Sequence, residues 1–298
     1  MSTPWGGEPQ TALAIATVAY GLEAKVEADL SLMMTGANEV LRAAGCALVG
    51  GHTSEGAELS LGFAVTGLVD RASVLRKGGL APGDALIVTK PIGTGTLLAA
   101  EMRGKAKARW VAAAVEHMAA SNGAAAGILK RHGVHAATDV TGFGLLGHLV
   151  EMVKASGVDV TLHLAAVPLL DGARETLAMG IFSSLQPQNV RLRRAIRNLD
   201  EAARHPLYPM LFDPQTAGGL LASVPGGAAA DCLAELRAGG YPRAAIIGRV
   251  APASDALEPV TLDLSDRPPS WPGRETAGDA GRWTEAVRER ERARGLVP

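Results

Sequence analysis

The sequence predicts an α/β protein, and within this class a two-domain α+β architecture. With 298 residues, of which 47% are hydrophobic and 20% charged, the chain is long enough to form two hydrophobic cores. After residue 84, short apolar runs alternate with segments of helical periodicity, which is typical of a sheet covered by helices. The segment 76–83 is dense in turn-forming residues and marks a boundary. We therefore place a first domain at residues 1–80 and a second at 81–264.

The first domain should contain a long helix between strands. These elements are predicted at residues 11–20, 24–44, 46–49 and 59–65. The helix is the clearest of them, because apolar residues from Val26 to Leu41 recur on one face and Gly45 ends it. The strand at 59–65 follows from alternation of apolar and small or polar residues. The polar residues 50–58 are predicted to form a loop.

The second domain should alternate strands with helices. Strands are predicted at 84–89, 158–164, 219–224 and 244–250 and before Asp139, and helices near 97–102, 107–119, 122–131, 145–153, 172–179 and 228–238. The segment 182–189 is rich in Ser, Gln and Pro and predicts a loop. Beyond residue 265 the composition shifts to Pro, Gly and charged residues, which predicts a polar tail over 265–298.

Composition restricts the partners and the compartment. A net charge of -1 gives no electrostatic reason to expect binding to nucleic acid or to an anionic membrane. The longest apolar runs fall short of the roughly 20 residues of a membrane span, and the first residues lack the features of a signal peptide. Cys46 and Cys232 are far apart, which favours a reducing compartment over a disulfide framework. We therefore expect a cytoplasmic protein that contacts neither nucleic acid nor membrane.

One segment has the pattern of a site for a metal ion and phosphate. A short apolar run ends at Asp139, and Gly142 and Gly144 then lead into a helix. Such a turn lets backbone N–H groups approach phosphate oxygens at a helix N-terminus, and a carboxylate there suits Mg²⁺, which prefers one or two carboxylates together with substrate phosphates. The pattern alone also allows Asp139 to be a simple helix cap with glycines that only shape the turn, and it is not a P-loop.

Four ordered motifs resemble those of selenide, water dikinase (selenophosphate synthetase). They are TDVTGFGLLGHL at 138–149, ALVGGHT at 47–53, TKPIGTG at 89–95 and FDPQTAGGL at 212–220. The resemblance extends over roughly residues 5–250, and the version at 50–59 is most similar to the form that is fused to a flavoprotein-like oxidoreductase. It implies the two-domain architecture of aminoimidazole ribonucleotide synthetase, with an incomplete first domain.

The resemblance also implies an activity and a set of site residues. The family converts ATP, selenide and water to selenophosphate, AMP and phosphate. By this resemblance Asp139 would bind Mg²⁺, while Gly51, His52 and Thr53 would contact ATP, with the site enclosed by a homodimer. Without the resemblance, the segment around His52 would be interpreted as a polar turn.

Other polar residues have more ordinary explanations. Asp213 precedes a proline and is expected to be part of the scaffold near the site. Lys90 could reach a phosphate, but a solvated lysine at a strand end is the simpler interpretation. His148 is expected to form hydrogen bonds within its packed helix. Cys46 and Cys232 lie in apolar surroundings, so neither is expected to be catalytic.

The family's N-terminal region has no counterpart in this sequence. That region carries the reactive Cys or selenocysteine, a lysine and further aspartates, whereas the resemblance here begins with WGGEP at 5–9. One carboxylate cannot hold the two or more Mg²⁺ ions that ATP cleavage to AMP would need. We therefore expect the isolated chain to be inactive. It could be a truncated product, one part of a split enzyme that pairs with a complementing N-terminal chain, or a non-catalytic scaffold subunit.

Overall fold

The computed structural model describes residues 6–266 and contains two separate β-sheets. The first sheet has three strands in the order β2-β1-β3, and one helix packs on it. These elements are β1 (Glu8–Ala19), α1 (Glu23–Ala43), β2 (Ala47–Gly56) and β3 (Ser60–Leu68). β1 pairs in parallel with β2 and antiparallel with β3. A small core of Ala12, Leu41 and Cys46 joins the helix to the sheet.

The second sheet has six strands in the order β5-β7-β4-β8-β6-β9. The strands are β4 (Asp84–Val88), β5 (Ala136–Asp139), β6 (Asp159–His163), β7 (Leu220–Pro225), β8 (Ala245–Ala251) and β9 (Val260–Asp263). The longer helices are α2 (Thr94–Met102), α3 (Ala108–Ala119), α4 (Gly123–Arg131), α5 (Gly144–Ser156), α6 (Ala173–Ala178) and α9 (Ala229–Ala238), and the two single-turn helices are α7 (Gln186–Asn189) and α8 (Leu199–Ala202). Within the described part of the chain, none of the helices is long and apolar enough to cross a bilayer.

Helices and loops cover both faces of the second sheet, and this explains its sequence. All five residues of β4 are buried, as expected for a central strand with a core on each side. One core contains Leu86 and Val88 with α5, and the other contains Ile87 with α4 and α9. The segment 70–80 also belongs to this layer, because Leu75 is buried in the second of these cores.

The strand registers bring the ends of three strands to one edge of the second sheet. Val88 at the end of β4 pairs with Leu221, and Asp139 at the end of β5 pairs with Leu220. β7 begins at Leu220 and runs antiparallel to both. The loops that follow β4 and β5 therefore lie beside the loop that precedes β7.

The structure corrects several predictions. Residues 50–56 belong to strand β2, so the predicted loop over 50–58 is wrong for most of its length. β9 and the short helix α7 were not predicted. The second sheet is antiparallel except for the pair β6 and β9, although the alternation of strands and helices suggested a doubly covered α/β sheet. Of the predicted polar tail, residues 267–298 lie outside the described part of the chain.

Candidate functional site

Backbone hydrogen bonds join two of the motif segments at this edge of the second sheet. The N–H of Val140 donates to the carbonyl of Gly219 at 2.8 Å, and the N–H of Gln215 donates to the carbonyl of Thr141 at 3.0 Å. A Cβ atom on Gly218 would lie only 2.1 Å from the oxygen of Val140, so glycine is required there. The turn after β5 and the loop before β7 therefore form one paired unit.

Asp139 lies at the end of β5 and is partly exposed. Its Oδ1 atom is 3.5 Å from the hydroxyl of Thr138, and no cation of residues 6–266 pairs with it. Among the same residues no group of three or more His, Cys, Asp or Glu side chains could hold a metal ion. A free carboxylate beside a helix N-terminus fits one ligand of a Mg²⁺ ion whose other ligands come from phosphates and other groups.

The turn after Asp139 is open to solvent on one side and supported on the other. No atom lies within 4 Å of the position that a Cβ atom on Gly142 would occupy, and the side chain of Phe143 is 54% exposed. Gly144 has φ +71°, and a Cβ there would meet the carbonyl of Leu211 at 2.9 Å. The glycines thus leave the backbone accessible above α5 while keeping it close to the loop before β7.

Asn189 holds the turn and the neighbouring loop together. Its side-chain nitrogen donates to the carbonyl of Gly142 at 2.8 Å and to the carbonyl of Phe212 at 3.0 Å. The residue is 7% exposed and belongs to α7, in a segment that was predicted to be a loop. Because the amide binds one carbonyl from each segment, it fixes the distance between them.

The third motif segment is connected through the N-terminus of α2. Oε1 of Gln215 accepts hydrogen bonds from the N–H groups of Gly93 (2.8 Å) and Thr94 (3.2 Å), and Oδ2 of Asp213 accepts one from Gly95 (3.1 Å). These bonds satisfy N–H groups that the first turn of a helix leaves free. Asp213 is 1% exposed, and burial raises its pKa to about 7. The prediction that Asp213 is scaffold is therefore consistent with its contacts.

Lys90 is buried, which contradicts the interpretation of a solvated lysine. Its ammonium group donates to the carbonyls of His117 (3.1 Å), Ala120 (2.5 Å) and Ala217 (3.3 Å). The first two carbonyls lie at the C-terminal end of α3, where a cation is favoured. Ala217 is the one non-glycine residue with positive φ in the described chain. Burial lowers the pKa of Lys90 to about 8.

His148 packs within α5, as predicted. Its Nε2 atom is 3.2 Å from the hydroxyl of Thr141, so it supports the turn after Asp139. Nδ1 is 3.3 Å from a carboxylate oxygen of Glu151. Burial lowers the pKa of His148, although Glu151 and Asp139 act in the opposite direction. The ring is therefore a neutral hydrogen-bonding group near neutral pH.

Buried polar side-chain atoms without a hydrogen-bond partner in the described chain gather around these loops. They are Asn122 Oδ1, Gln186 Oε1, Tyr208 Oη and Asp213 Oδ1. Asn122 binds the carbonyl of Gly218 with its other amide atom, and Gln186 binds the carbonyl of Pro209. Because unpaired buried polar atoms are rare, their concentration distinguishes this edge from the rest of the fold.

Gly51, His52 and Thr53 lie in the middle of β2 on the first sheet. They line a cavity of about 410 Å³ together with Leu30 and Met34 of α1. A Cβ atom on Gly51 would approach the carbonyl oxygen of Ala14 to 2.0 Å, so the close contact with β1 requires glycine. Within residues 6–266, no hydrogen bond or ion pair joins this cavity to Asp139. The structure thus places the two groups of predicted residues on different sheets.

The cysteines are packed in the interior, as predicted. Cys46 and Cys232 are both buried free thiols. Burial, together with the nearby Glu235, raises the pKa of Cys232 to about 11, which keeps it protonated and unreactive.

Sequence analysis did not identify Asn189 or Gln215 as site residues. Asn189 lies in the segment 182–189 that was predicted to be a loop, and Gln215 lies in the FDPQTAGGL motif.

The fold and the site define an AIR synthase related protein of two domains. The family model described as "AIR synthase related protein, N-terminal domain" matches residues 5–69, and the model for the C-terminal domain matches 81–257. Escherichia coli HypE, a hydrogenase maturation protein, is similar in structure, with a TM-score of 0.67 at 20% identity over 92% of this chain and 77% of that chain. Aquifex aeolicus thiamine monophosphate kinase gives a TM-score of 0.59 at 17% identity, over 89% of this chain and 77% of that chain. These likenesses show the fold.

Sequence relatives show to which family of AIR synthase related proteins the chain belongs. Selenide, water dikinase of Pelobacter propionicus is 38% identical over 87% of this chain and 73% of its own length. The protein of the same name in Trichlorobacter lovleyi is 42% identical over 76% of this chain and 64% of its own length. That of Geobacter metallireducens is 41% identical over 72% of this chain and 62% of its own length. The chain belongs to the selenide, water dikinase family. It spans between three fifths and three quarters of these three relatives.

Proposed function

We propose that this chain takes part in the synthesis of selenophosphate from ATP, selenide and water, with AMP and phosphate as the other products. The observation that carries the proposal is the position of Asp139. It stands as an unpaired carboxylate at a strand end, inside the TDVTGFGLLGHL motif and next to a glycine turn and a helix N-terminus. The sequence relatives that are 38% and 42% identical to this chain are named selenide, water dikinase.

In this proposal the residues of the chain bind and orient the nucleotide. Asp139 contributes one oxygen ligand to Mg²⁺, which when bound would neutralise phosphate charge. The exposed backbone at Gly142 can donate to phosphate oxygens, and the dipole of α5 favours negative charge there. Gly51, His52 and Thr53 are proposed to contact ATP from the first sheet.

We further propose that the complete site is composite. Within residues 6–266, Asp139 is a partly exposed carboxylate at this edge, the neighbouring Asp213 is buried, and no group of three or more His, Cys, Asp or Glu side chains could hold a metal ion. Asp139 and His52 also lie on different sheets without a bond between them. A second chain could supply the missing metal ligands and complete the site between the two sheets. It would be either the other subunit of a homodimer or a complementing N-terminal chain. We therefore propose that the isolated chain binds ATP but does not catalyse the reaction.

The proposal is tested by calorimetric titration of ATP into the full chain with and without Mg²⁺. We expect micromolar, Mg²⁺-dependent binding that weakens at least tenfold in Asp139→Asn, because the amide removes the charge on the metal ligand. Asp255→Asn is a matched control, since Asp255 is exposed and far along the chain from the motif. Equal affinity of wild type and Asp139→Asn would contradict the assignment.

The second candidate function is that of a non-catalytic scaffold or a subunit of a split enzyme. It is favoured by the first sheet, where Leu13 is 46% and Ile15 57% exposed on strand β1. A scaffold and a subunit of a split enzyme differ in whether a partner chain restores catalytic activity. Selenide-dependent AMP formation after addition of a complementing chain would support the split enzyme, whereas steady turnover by the purified chain alone would contradict the proposed inactivity.

We make two further proposals, one about the division into domains and one about the location of the protein in the cell. The division of the chain into two domains is supported by the separate ranges of the two family models, residues 5–69 and 81–257, and Leu75 between them packs in a core of the second sheet. A cytoplasmic location is supported by the buried free thiols, which suit a reducing compartment.

A further inference from the structure

A second cavity lies at the same edge of the second sheet, beyond the strands that carry the Asp139 loops. Its volume is about 650 Å³, within the usual range of small-molecule sites. Three arginines line it, and each comes from a different segment. Arg109 belongs to α3, Arg174 belongs to α6, and Arg243 lies in the turn before β8. This convergence is produced by the tertiary fold and could not be seen in the sequence.

The floor of the cavity is tightly packed. Trp110 of α3 is 5% exposed, and a Cβ atom on Gly172 would lie only 2.2 Å from its ring. Gly172 also has φ +86°, a conformation that other residues rarely adopt. The ammonium group of Lys107 is 4.8 Å from the centroid of the Trp110 ring, which adds a fourth cation beside the arginines. The arginines therefore project from a rigid base.

Two of the three arginines have no protein partner in the described part of the chain. Arg243 is fixed, since it forms an ion pair with Asp171 at 3.0 Å and donates to the carbonyl of Leu169. Arg109 and Arg174 form neither a hydrogen bond nor an ion pair with residues 6–266. Glu175 is the second carboxylate in the lining, so positive groups outnumber negative ones.

A nearby histidine responds to this positive charge. The pKa of His117 is lowered by burial, and the charges of Arg243 and Lys90 lower it further against the opposing effect of Glu116 and Asp171. The positive charge of Arg243 therefore acts on a neighbouring side chain, where burial is the larger effect.

We propose that this cavity, which we call the arginine pocket (Arg109, Trp110, Arg174 and Arg243), binds a small anion that carries one or two phosphate groups. The free guanidinium groups of Arg109 and Arg174 can each donate two parallel N–H bonds to phosphate oxygens. Arg243, held in place by Asp171, supplies a positioned charge at the back. The inference goes beyond the proposed function, which involves a different part of the sheet edge.

The arginine pocket and Asp139 lie at the same edge of the second sheet but at different strands. Arg243 precedes β8 and Asp139 ends β5, and these strands are three positions apart in the order β5-β7-β4-β8. At about 4.8 Å per strand, the two places are roughly 14 Å apart along the edge. An anion of one or two phosphates cannot span both, so the two sites can be tested independently.

The test is calorimetric titration of inorganic pyrophosphate into the full chain at low salt, with EDTA present to exclude metal-dependent binding. We expect binding in the range of roughly 10 to 300 μM that is weakened at least tenfold in the double variant Arg109→Gln/Arg174→Gln, and weakened by added salt. The double variant Arg42→Gln/Arg249→Gln removes two other exposed arginines and should bind as wild type does. Asp139→Asn should also retain pyrophosphate binding.

A second measurement avoids substitutions altogether. Phenylglyoxal modifies accessible arginines, and pyrophosphate should protect Arg109 and Arg174, but not Arg42, in peptide mass spectra. No binding by wild type, unchanged binding in the Arg109/Arg174 variant, or no protection of these residues would each overturn the proposal. Loss of pyrophosphate binding in Asp139→Asn would assign the anion to the Asp139 edge and would also overturn it. Failure of Mg²⁺-dependent ATP binding, by contrast, would bear only on the proposed function.

Discussion

The ammonium group of Lys90 connects three segments at the edge of the second sheet. A lysine directly after a strand is usually solvated, yet this side chain is 4% exposed and binds three backbone carbonyls. The sequence gives no sign of this, because the carbonyls come from α3 and from the loop at Ala217, which are distant along the chain. The ammonium group thereby ties the end of β4 to two other segments of the site.

Replacement of Lys90 by methionine should destabilise the protein by about 2 to 3 kcal/mol, because the methionine fills similar space but leaves the carbonyls without a donor. Urea unfolding followed by circular dichroism measures the change in the free energy of unfolding. Lys154→Met, at an exposed position of α5, is the control and should change stability by less than 0.5 kcal/mol, as is usual for surface substitutions. A loss no larger than that of the control would show that the three contacts contribute little.

Asp213 should make stability depend on pH. Burial raises its pKa from 3.8 to about 7, against the effect of hydrogen bonds from Gln215 and from the backbone at Gly95. Between about pH 4 and pH 7 the folded protein therefore holds a proton that the unfolded chain has lost. The stabilisation is present below pH 4 and is lost as the pH rises through 7.

Asp213→Asn stays neutral at every pH and isolates this contribution. As the pH rises from 4 to 7.5, wild type should lose about 2 to 4 kcal/mol of unfolding free energy relative to the variant. Unfolding midpoints of both proteins, measured at several pH values, give this difference directly. A difference that is independent of pH would show that the Asp213 carboxyl titrates normally in the fold.

Asp139 shows what can be predicted at the scale of single residues. An apolar run that ends in an acidic residue, followed by glycines and a helical pattern, correctly placed Asp139 at the end of β5 and before α5. The local pattern was sufficient because strand, turn and helix are adjacent in sequence. Asn189 was not predicted as a site residue, because its contacts with Gly142 and Phe212 depend on tertiary packing.

At the scale of elements, α7 acts as a clamp between two loops. Its Asn189 amide connects the turn after β5 to the loop before β7, and these loops are otherwise joined by backbone hydrogen bonds. The geometry of the Asp139 turn therefore depends on a helix of only four residues. A change in α7 should alter nucleotide binding without any direct contact with nucleotide.

Asn189→Ala should cost about 1 to 2 kcal/mol of stability and weaken Mg²⁺-dependent ATP binding at least tenfold, because the Gly142 carbonyl loses its donor. Asn189→Asp should be worse, since a carboxylate would face two carbonyl oxygens. The matched control is Asn198→Ala, because Asn198 also bridges backbone groups but does so at Leu262 in β9. Calorimetry of ATP binding separates a loss of affinity from a loss of stability. If both alanine variants lose stability and neither loses affinity, α7 has a structural role only.

The errors in predicting elements have physical causes. β2 continues through residues 50–56, but most of its side chains are exposed and include glycines, so the alternation expected for a half-buried strand is absent. β9 is four residues long and pairs in parallel with β6, almost a hundred residues earlier, so local sequence contains little information about it. The long helix α1 and the buried strand β4 were predicted correctly, because each has a strong local pattern.

At the scale of the whole molecule, the two sheets differ in how well they are covered. The second sheet is enclosed by helices and loops and has two cores. The first sheet packs α1 on one face, where Ala12, Ala14 and Ala16 of β1 are buried. Alternation along β1 directs Leu13 and Ile15 to the other face, and Val49 of β2 is 59% exposed. We call Leu13, Ile15 and Val49 the open face, and it is the surface through which we propose that the homodimer forms.

The double variant Leu13→Lys/Ile15→Lys should convert a dimer into a monomer. Each of these side chains would contribute about 1 kcal/mol when the open face is buried, and lysine replaces this gain with the cost of removing a charge from water. Light scattering after size-exclusion chromatography should give twice the chain mass of 30.6 kDa for wild type and the single mass for the variant. Leu22→Lys/Leu32→Lys, directly before and within α1, replaces two leucines that are also exposed and should remain dimeric. If the α1 variant becomes monomeric and the β1 variant does not, the helix rather than the open face forms the contact, and the composite site must be assembled across α1.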